Sequence, residues 1–358
     1  WNCLMWRKTI FHRIKEPKMK RLLLGLALVV AMSTTILADG PVEGPLAPYM
    51  QDVSVTIRAD YGQGSGVIVT REIKDGDKNI TVNFVWTAAH VVDNLRHVRQ
   101  IIDPKTGQSK NVIEFKDAAI VKELVEDGRR VGELKMDARV IKYSDSENGE
   151  DLALLMIRKR DFVSSSAVFH TGSPNIVPIG TRLFHVGSLL GQTGAGSMTS
   201  GIMSQVGRVL SLGGGDGTVF DQTTATAFPG SSGGGVFIAG IEDENKKHRG
   251  KYCGMLVRGA GETFNLIVPV RRMIKWSKAV GCEWAISTEA KSPTLEQLQS
   301  SSWVVEDSGV EWRDPEKAEA NNKKYGLRFW LGDSRKINGV LPPRDLRLPT
   351  NPIPNTGE

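Results

Sequence analysis

The chain has 358 residues, of which 24% are charged and 40% hydrophobic, and it carries a formal net charge of +6. Residues 1–38 hold seven Lys or Arg and one Glu, so the other 39 of the 46 basic residues balance the other 39 of the 40 acidic residues. With this balance, nothing in the composition indicates a nucleic-acid-binding surface, which requires basic residues clustered on one face. We therefore expect no nucleic-acid partner.

The first 38 residues are typical of a protein that is exported. The stretch before Met19 is interpreted as an upstream segment outside the fold. After Met19 come two basic residues, an apolar run over 22–31 and small or polar residues that end at Ala38, the order found in secretory signal peptides. The run is shorter than the roughly 20 residues that a membrane span needs. We expect cleavage near residue 38, a periplasmic or extracellular mature protein and no stable membrane insertion afterwards; a signal-anchored membrane protein is the alternative.

A glycine-rich stretch, residues 228–235, places Ser232 between Gly230 and Gly233. Glycines let the backbone make a tight turn that presents the serine hydroxyl and approaches a ligand closely. The N–H groups of Gly230, Ser231 and Ser232 are candidate donors to the oxyanion that forms when a carbonyl is attacked. An ordinary turn is the alternative interpretation of this stretch alone.

Two further residues supply what a serine nucleophile needs, a positioned base and a third group that orients the base. His90 follows the apolar run 85–89, and Asp151 precedes the apolar run 152–157. Taken singly, His90 is better explained as a core histidine and Asp151 as a turn or strand-edge aspartate. Together with Ser232, in the order His, Asp, Ser, they form one of the catalytic orders of serine hydrolases.

Three segments resemble the catalytic signatures of chymotrypsin-like (trypsin-like) serine proteases, specifically the bacterial HtrA/Deg branch: 87–90 (TAAH), 151–154 (DLAL) and 230–234 (GSSGG). The resemblance extends over roughly residues 50 to 285. It implies an exported serine endopeptidase in which His90, Asp151 and Ser232 form the triad. Its partners would be protein or peptide substrates, cleaved within unfolded or exposed segments. Whether the protein forms a homo-oligomer is left open.

Short apolar segments divided by turns predict β-strands, at 53–58, 66–70, 82–87, 112–115, 138–143 and 152–157. Residues 166–270 repeat this pattern. With the resemblance, it predicts an all-β fold of two antiparallel six-stranded β-barrels, one over about 50–165 and one over about 166–285, within a protease domain of residues 39–285. A helical rhythm over 269–278, stopped by Gly281, predicts a C-terminal helix. The polar stretch 71–80 predicts a surface loop.

Residues 286–358 are polar and then proline-rich. HtrA proteases usually carry one or two PDZ domains here, but roughly 70 residues of this composition do not fit one. Trp303, Trp312 and Trp330 argue against a wholly disordered tail, because aromatic residues are scarce in disordered segments. We expect an irregular tail that docks onto the protease or onto a partner.

On the resemblance, residues just before the nucleophile and on the strand after it wall the specificity pocket: Thr226, Ala227, Met255, Leu256 and Val257. None of them is acidic, and recognition of Lys or Arg requires a buried carboxylate. The sequence therefore predicts cleavage after small or medium apolar side chains.

Cys253 and Cys282 follow the predicted signal peptide. In an exported protein they either form a disulfide or stay as two buried thiols, and both interpretations are open. The histidines show no ligand-like spacing, so we expect no metal and no cofactor. A catalytically silent, protease-like binding protein is the alternative function. An esterase on another fold conflicts with the His, Asp, Ser order and with the absence of alternating helices.

Overall fold

The computed structural model describes residues 41–102, 107–146, 149–172, 175–210, 217–259, 262–300 and 305–306. The predicted signal peptide and most of the predicted tail lie outside these residues. No helix within the described ranges is long and apolar enough to cross a bilayer.

Six antiparallel strands close the first ring, in the order β7-β6-β1-β2-β3-β8 with β8 pairing back onto β7. A short separate sheet pairs β4 with β5. The bounds of these strands are β1 Ser54–Ala59, β2 Gly62–Asp75, β3 Lys78–Thr87, β4 Arg96–Ile102, β5 Ser109–Phe115, β6 Ala118–Glu126, β7 Arg129–Ser144 and β8 Leu152–Ile157.

Six more strands form a closed barrel in the order β10-β11-β14-β13-β12-β9. Their bounds are β9 Arg182–Leu189, β10 Gly194–Leu210, β11 Thr218–Thr223, β12 Gly235–Ile238, β13 Tyr252–Gly259 and β14 Asn265–Pro269. A two-residue strand, β15 (Val305–Glu306), adds to β7 in parallel. The predicted fold of two antiparallel six-stranded barrels is confirmed.

Helices are few and short within the described residues. The α-helices are α1 Leu46–Asp52, α2 Ala89–Val92, α3 Val270–Ala279 and α4 Leu295–Ser300. Short 3-10 helices occupy Asp93–Leu95, Gly191–Thr193, Asp243–His248 and Glu283–Ala285.

The predicted C-terminal helix is α3. It begins directly after Pro269, which cannot donate a backbone hydrogen bond, and it is followed by Gly281 in a left-handed conformation. Its apolar face reaches the first ring, where the indoles of Trp276 and Trp86 meet edge to face with centroids 5.9 Å apart. The Trp86 Nε1–H also donates to the Ala285 carbonyl at 3.2 Å, so α3 and the segment after it cover that ring.

The predicted surface loop at 71–80 is wrong, because these residues form a hairpin of β2 and β3. Arg71 and Ile73 are buried while Glu72 and Lys74 are exposed, the alternation of a half-buried strand. The buried Arg71 guanidinium donates to the carbonyls of Trp284 and Ile286, at 2.7 and 3.2 Å. Burial lowers the pKa of Arg71 to about 10. Such contacts with residues far along the chain explain how a polar stretch becomes a strand.

Candidate active site

His90 and Asp151 lie in direct contact in the first ring. His90 is in α2, directly after β3, and Asp151 directly precedes β8, which pairs with β3. The His90 Nδ1 lies 3.0 and 3.1 Å from the two carboxylate oxygens of Asp151, and the His90 backbone N–H donates to one of them at 3.1 Å. With Nδ1 donating to the carboxylate, Nε2 carries the lone pair and is free to accept a proton.

Asp151 is held in an unusual backbone conformation. Its φ is 55°, in the left-handed region that aspartate tolerates better than most residues. The Ser144 hydroxyl accepts a hydrogen bond from the Glu150 N–H at 2.7 Å, and the Asp145 carbonyl accepts one from the Gly149 N–H at 2.9 Å. These local bonds fix the turn that delivers the carboxylate to His90.

The Asp151 carboxylate is buried and has a guanidinium nearby in addition to the His90 imidazole. The Arg258 guanidinium, on β13, lies 3.9 Å from it and donates to the Ser146 carbonyl at 2.9 Å. Burial alone would raise the pKa of Asp151, but His90, its hydrogen bonds and Arg258 outweigh burial and hold that pKa below its usual range. Asp151 is therefore ionised at neutral pH and keeps the histidine oriented.

Ser232 lies in a loop that precedes β12, here named the nucleophile loop (residues 228–234). The Ser232 carbonyl accepts a hydrogen bond from the Ser65 N–H at 2.7 Å, and the Ser65 carbonyl accepts one from the Thr87 hydroxyl at 2.8 Å. Thr87 ends β3, three residues before His90. The Ser232 hydroxyl lies 3.5 Å from the Val257 carbonyl on β13. These contacts bring the strand that leads to His90 next to the backbone of Ser232.

Two glycines make the nucleophile loop sterically possible. Gly230 has φ of 92° and Gly233 has φ of 86°, values that a side chain would strain. A Cβ on Gly230 would also lie 2.5 Å from the Gly191 backbone nitrogen, and one on Gly233 would collide with the Ser65 carbonyl. The loop is therefore packed backbone to backbone against β2 and against residues 187–192, here named the bracing segment.

Backbone hydrogen bonds orient two N–H groups of this loop. The Leu190 N–H donates to the Pro229 carbonyl at 2.8 Å, and the Gly234 N–H donates to the Ser231 carbonyl at 2.9 Å. In a trans peptide the N–H points away from the carbonyl of the same plane, so the N–H groups of Gly230 and Ser232 point away from these partners. Neither N–H has an acceptor within the part of the chain that the structure describes.

The third predicted donor, Ser231, is used differently. Its N–H donates to the Phe228 carbonyl at 2.9 Å, and its buried hydroxyl accepts from the Phe228 N–H at 3.1 Å. Both bonds close the turn, so the predicted role of Ser231 as an oxyanion donor does not fit this geometry. The physical reason is that alternate peptide planes along the turn face opposite sides.

The predicted pocket residues divide between two apolar clusters. Leu256 belongs to a small cluster against which Ala227 packs, whereas Met255 and Val257 belong to the large core cluster. This is the alternation of side chains along a strand. The Thr226 carbonyl accepts a hydrogen bond from the Thr199 hydroxyl at 2.8 Å. Leu256 and Ala227 therefore share the small cluster, whereas Met255 and Val257 share the large core cluster.

His185, which belongs to none of the predicted site motifs, is a fully buried imidazole on β9 near the nucleophile loop. Its Nδ1 lies 3.4 Å from the Thr199 hydroxyl, and its Nε2 has no hydrogen-bond partner. A Cβ on Gly234 would lie 2.6 Å from that Nε2, which places the ring directly against the loop. Burial lowers the pKa of His185 to about 4. The only sequence signal was a histidine inside an apolar strand.

We expect acid to destabilise the protein through His185. An unfolded histidine takes up a proton below about pH 6.5, whereas the buried ring does so only near pH 4, so stability is lost as the pH falls through this window. The loss from His185 at pH 5 is about 2 kcal/mol, and His170, whose pKa burial also lowers to about 4, acts in the same direction. Urea unfolding at pH 7 and pH 5 measures the loss.

His185→Asn should reduce the pH dependence of the unfolding free energy, and Leu183→Ala, which alters a buried side chain of the same strand that does not titrate, should not. Equal stability of the wild-type protein at pH 7 and pH 5 would contradict this expectation.

Both cysteines of the protease region are free and buried. The Cys253 thiol donates to the Val236 carbonyl at 3.3 Å, and burial raises the pKa of Cys282 to about 12. The structure therefore agrees with the interpretation as two thiols and not with a disulfide. Among the described residues, no three His, Cys, Asp or Glu side chains gather as a metal site would require.

Two closed antiparallel barrels, with a hydrogen-bonded histidine–aspartate pair on one and a serine between glycines before a strand of the other, are the arrangement of a chymotrypsin-like serine peptidase. Residues 64–240 match the family model described as a trypsin-like peptidase domain. The chain therefore contains a trypsin-like peptidase domain and is a serine endopeptidase, as the sequence resemblance implied.

Solved structures similar to this chain include Deg5, Rv3671c from M. tuberculosis H37Rv and the HtrA-type protease AlgW with a tripeptide. Their sequence identities are 20%, 15% and 18%, and their TM-scores are 0.41, 0.44 and 0.43. The matches cover 64%, 68% and 66% of this chain and 89%, 97% and 62% of those chains. No curated protein matches the chain.

Proposed function

We propose that the chain hydrolyses peptide bonds through an acyl-enzyme, with Ser232 as nucleophile, His90 as general base and acid, and Asp151 as the group that orients His90. The observation that carries this proposal is the pairing of His90 Nδ1 with the buried Asp151 carboxylate at 3.0 Å. That pairing leaves Nε2 of His90 as the basic nitrogen. No other histidine in the described residues has a buried carboxylate partner among the ion pairs.

The reaction uses each group in turn. The Ser232 Oγ attacks the substrate carbonyl while His90 removes its proton, and His90 then protonates the leaving amine. Asp151 stays ionised and stabilises the imidazolium that forms between these steps. Water repeats the sequence on the acyl-enzyme and releases the second product.

The N–H groups of Gly230 and Ser232 are the proposed oxyanion donors. Both are free of internal acceptors in the described part of the chain, and the loop that carries them is fixed by hydrogen bonds to its neighbours. Donors that are already oriented stabilise developing charge without reorganisation during the reaction.

The substrate chain has an open strand edge beside Ser232. Strand β12 pairs with β13 as far as Met255, and the Leu256 N–H donates to the Gly234 carbonyl at 2.9 Å. Among the described residues, no backbone hydrogen bond on that side of β13 involves residues 257–259. An extended peptide can add to such an edge through backbone hydrogen bonds. Because the Val257 carbonyl lies 3.5 Å from the Ser232 hydroxyl, a peptide bound there has its own carbonyls next to the nucleophile.

The signal-like pattern of residues 19–38 supports a protease domain over residues 39–285 that acts after export, in the periplasm or outside the cell. Because binding at a strand edge requires an extended chain, the proposed substrates are unfolded or exposed protein segments. We keep Thr226, Ala227, Met255, Leu256 and Val257 as the proposed pocket wall, with Leu256 and Ala227 foremost because they pack together outside the large core cluster.

Digestion of reduced, unfolded casein, followed by mass spectrometry of the products, tests both the activity and this pocket. We expect cleavage, with small or medium apolar residues before most cut sites, because the proposed wall carries no carboxylate for a cationic side chain. Cut sites dominated by Lys and Arg would contradict the pocket, and the absence of cleavage would favour a catalytically silent binding protein. The Ser232→Ala protein is the control for contaminating proteases.

A further inference from the structure

Ser65, on β2, is a fully buried serine whose polar groups all serve the neighbourhood of Ser232. Its hydroxyl donates to the Gly230 carbonyl at 2.7 Å and accepts from the Ser188 N–H, also at 2.7 Å. Its N–H donates to the Ser232 carbonyl at 2.7 Å, and its carbonyl accepts from the Thr87 hydroxyl at 2.8 Å. One residue thus contacts the strand before His90, the nucleophile loop and the bracing segment.

The hydroxyl is the part of Ser65 that links the nucleophile loop to the bracing segment. It donates its one proton to the Gly230 carbonyl and accepts a hydrogen bond from the Ser188 N–H. Its donor and acceptor functions are therefore both used by backbone groups. The Ser188 hydroxyl lies in turn 2.6 Å from the Thr56 hydroxyl, which is buried on β1. The backbone N–H and the hydroxyl of Ser188 are thus each bonded to a hydroxyl of the first ring, which fixes Ser188 relative to that ring.

The position of Ser188 controls the peptide plane that carries the Gly230 N–H. Two residues after Ser188, the Leu190 N–H donates to the Pro229 carbonyl at 2.8 Å, and Leu190 adopts φ of 62° to do so. A leucine in this conformation is strained and persists only when its surroundings hold it there. Loss of the Ser65 hydroxyl would release both the Gly230 carbonyl and the segment that presents Leu190.

We propose that Ser65 is a positioning residue for the oxyanion donors: its buried hydroxyl clamps the nucleophile loop to the bracing segment, so that the N–H groups of Gly230 and Ser232 are fixed toward the substrate carbonyl. The inference rests on the proposed function, in which those two N–H groups stabilise the oxyanion. Ser65 touches neither the substrate nor the reacting atoms, so its effect passes through the loop.

Ser65→Ala removes the hydroxyl and keeps the backbone bonds to Ser232 and Thr87. We expect kcat and the rate of labelling by a fluorophosphonate probe to fall about 10- to 100-fold, because removal of one oxyanion donor in a protease costs 100-fold or more. KM should change less than about twofold, because the strand edge that binds substrate is untouched. Amide hydrogen exchange should accelerate in peptides that cover residues 186–191 and 226–233.

Ser54→Ala is the matched control, because Ser54 is also a buried serine whose hydroxyl donates to a backbone carbonyl, that of Met50 at 2.7 Å. It should lose comparable stability and keep the wild-type labelling rate and exchange. Wild-type labelling and kcat in Ser65→Ala would overturn the inference. If the wild-type protein neither labels nor cleaves, the proposed function fails. Hydrogen exchange then tests the role of Ser65. Faster exchange in Ser65→Ala but not in Ser54→Ala supports the proposal that Ser65 holds the loop, and unchanged exchange in Ser65→Ala overturns it.

Discussion

Ser232→Ala and His90→Ala are each expected to abolish labelling by a fluorophosphonate probe and cleavage of casein, with losses of about 10⁴-fold or more. Only a hydroxyl that has a base to take its proton and donors to receive the oxyanion reacts readily with the probe. The double variant should be hardly worse than either single one, because the members of a triad act as a unit. Labelling rates and casein turnover measure the losses.

Mass spectrometry of the labelled protein should place the adduct on Ser232 and not on Ser231, whose hydroxyl is buried and bonded within the turn. Ser277→Ala is the control for the loss of a buried serine, because its hydroxyl bonds to Ile274 within α3. Folded wild-type protein that takes up no probe between pH 6 and 9, even with unfolded substrate added, would support the silent binding protein.

The strands that could be predicted from the sequence are those in which local pattern and tertiary environment agree. β8 was predicted with its observed bounds, because residues 152–157 are apolar throughout and buried on both faces. β7 was predicted only over 138–143, because its first half is exposed and polar, as in a hairpin arm that leaves the core. Burial leaves a clear pattern in sequence, whereas an exposed arm does not.

The hairpin at 71–80 shows the limit of that reasoning. An Asp-Gly pair at its tip, Asp75 and Gly76, is a turn signal, and Gly76 indeed has φ of 62°. The polar residues beside it obscured that signal. Arg71 is buried because carbonyls of residues 284–286 lie beside it, and no local pattern can report partners more than 200 residues away.

The candidate site also has features that can be predicted from the sequence and features that depend on distant contacts. The motifs around His90, Asp151 and Ser232 are local, so the residue types and their order are visible in the sequence. The directions of the Gly230 and Ser232 N–H groups depend on bonds from Leu190, which follows β9, and from Ser65 on β2. For that reason Ser231 was predicted as a donor although its N–H is used inside the turn.

Two neighbouring arginines on α3 bond to different parts of the protein. Arg272 donates to the Glu150 carboxylate at 2.6 Å and to the Glu150 carbonyl at 2.9 Å, next to Asp151, and its third bond goes to the Val219 carbonyl at 2.9 Å. Arg271 pairs with both oxygens of the buried Asp221, at 2.5 and 2.6 Å. Both arginines support the fold, but only Arg272 contacts the turn that carries Asp151.

Arg271→Met and Arg272→Met are therefore expected to separate stability from activity. Each should lower the free energy of unfolding by about 2 to 4 kcal/mol, because each leaves a buried or half-buried acid without its cation. Only Arg272→Met should also lower kcat/KM, by about tenfold or more, because a small displacement of a catalytic group is enough to slow the reaction. Urea unfolding and casein turnover at a temperature where both variants are folded give the two quantities. Two results would show that Glu150 does not transmit the position of α3 to Asp151. One is wild-type kcat/KM in Arg272→Met, and the other is a loss of kcat/KM in Arg271→Met equal to that in Arg272→Met.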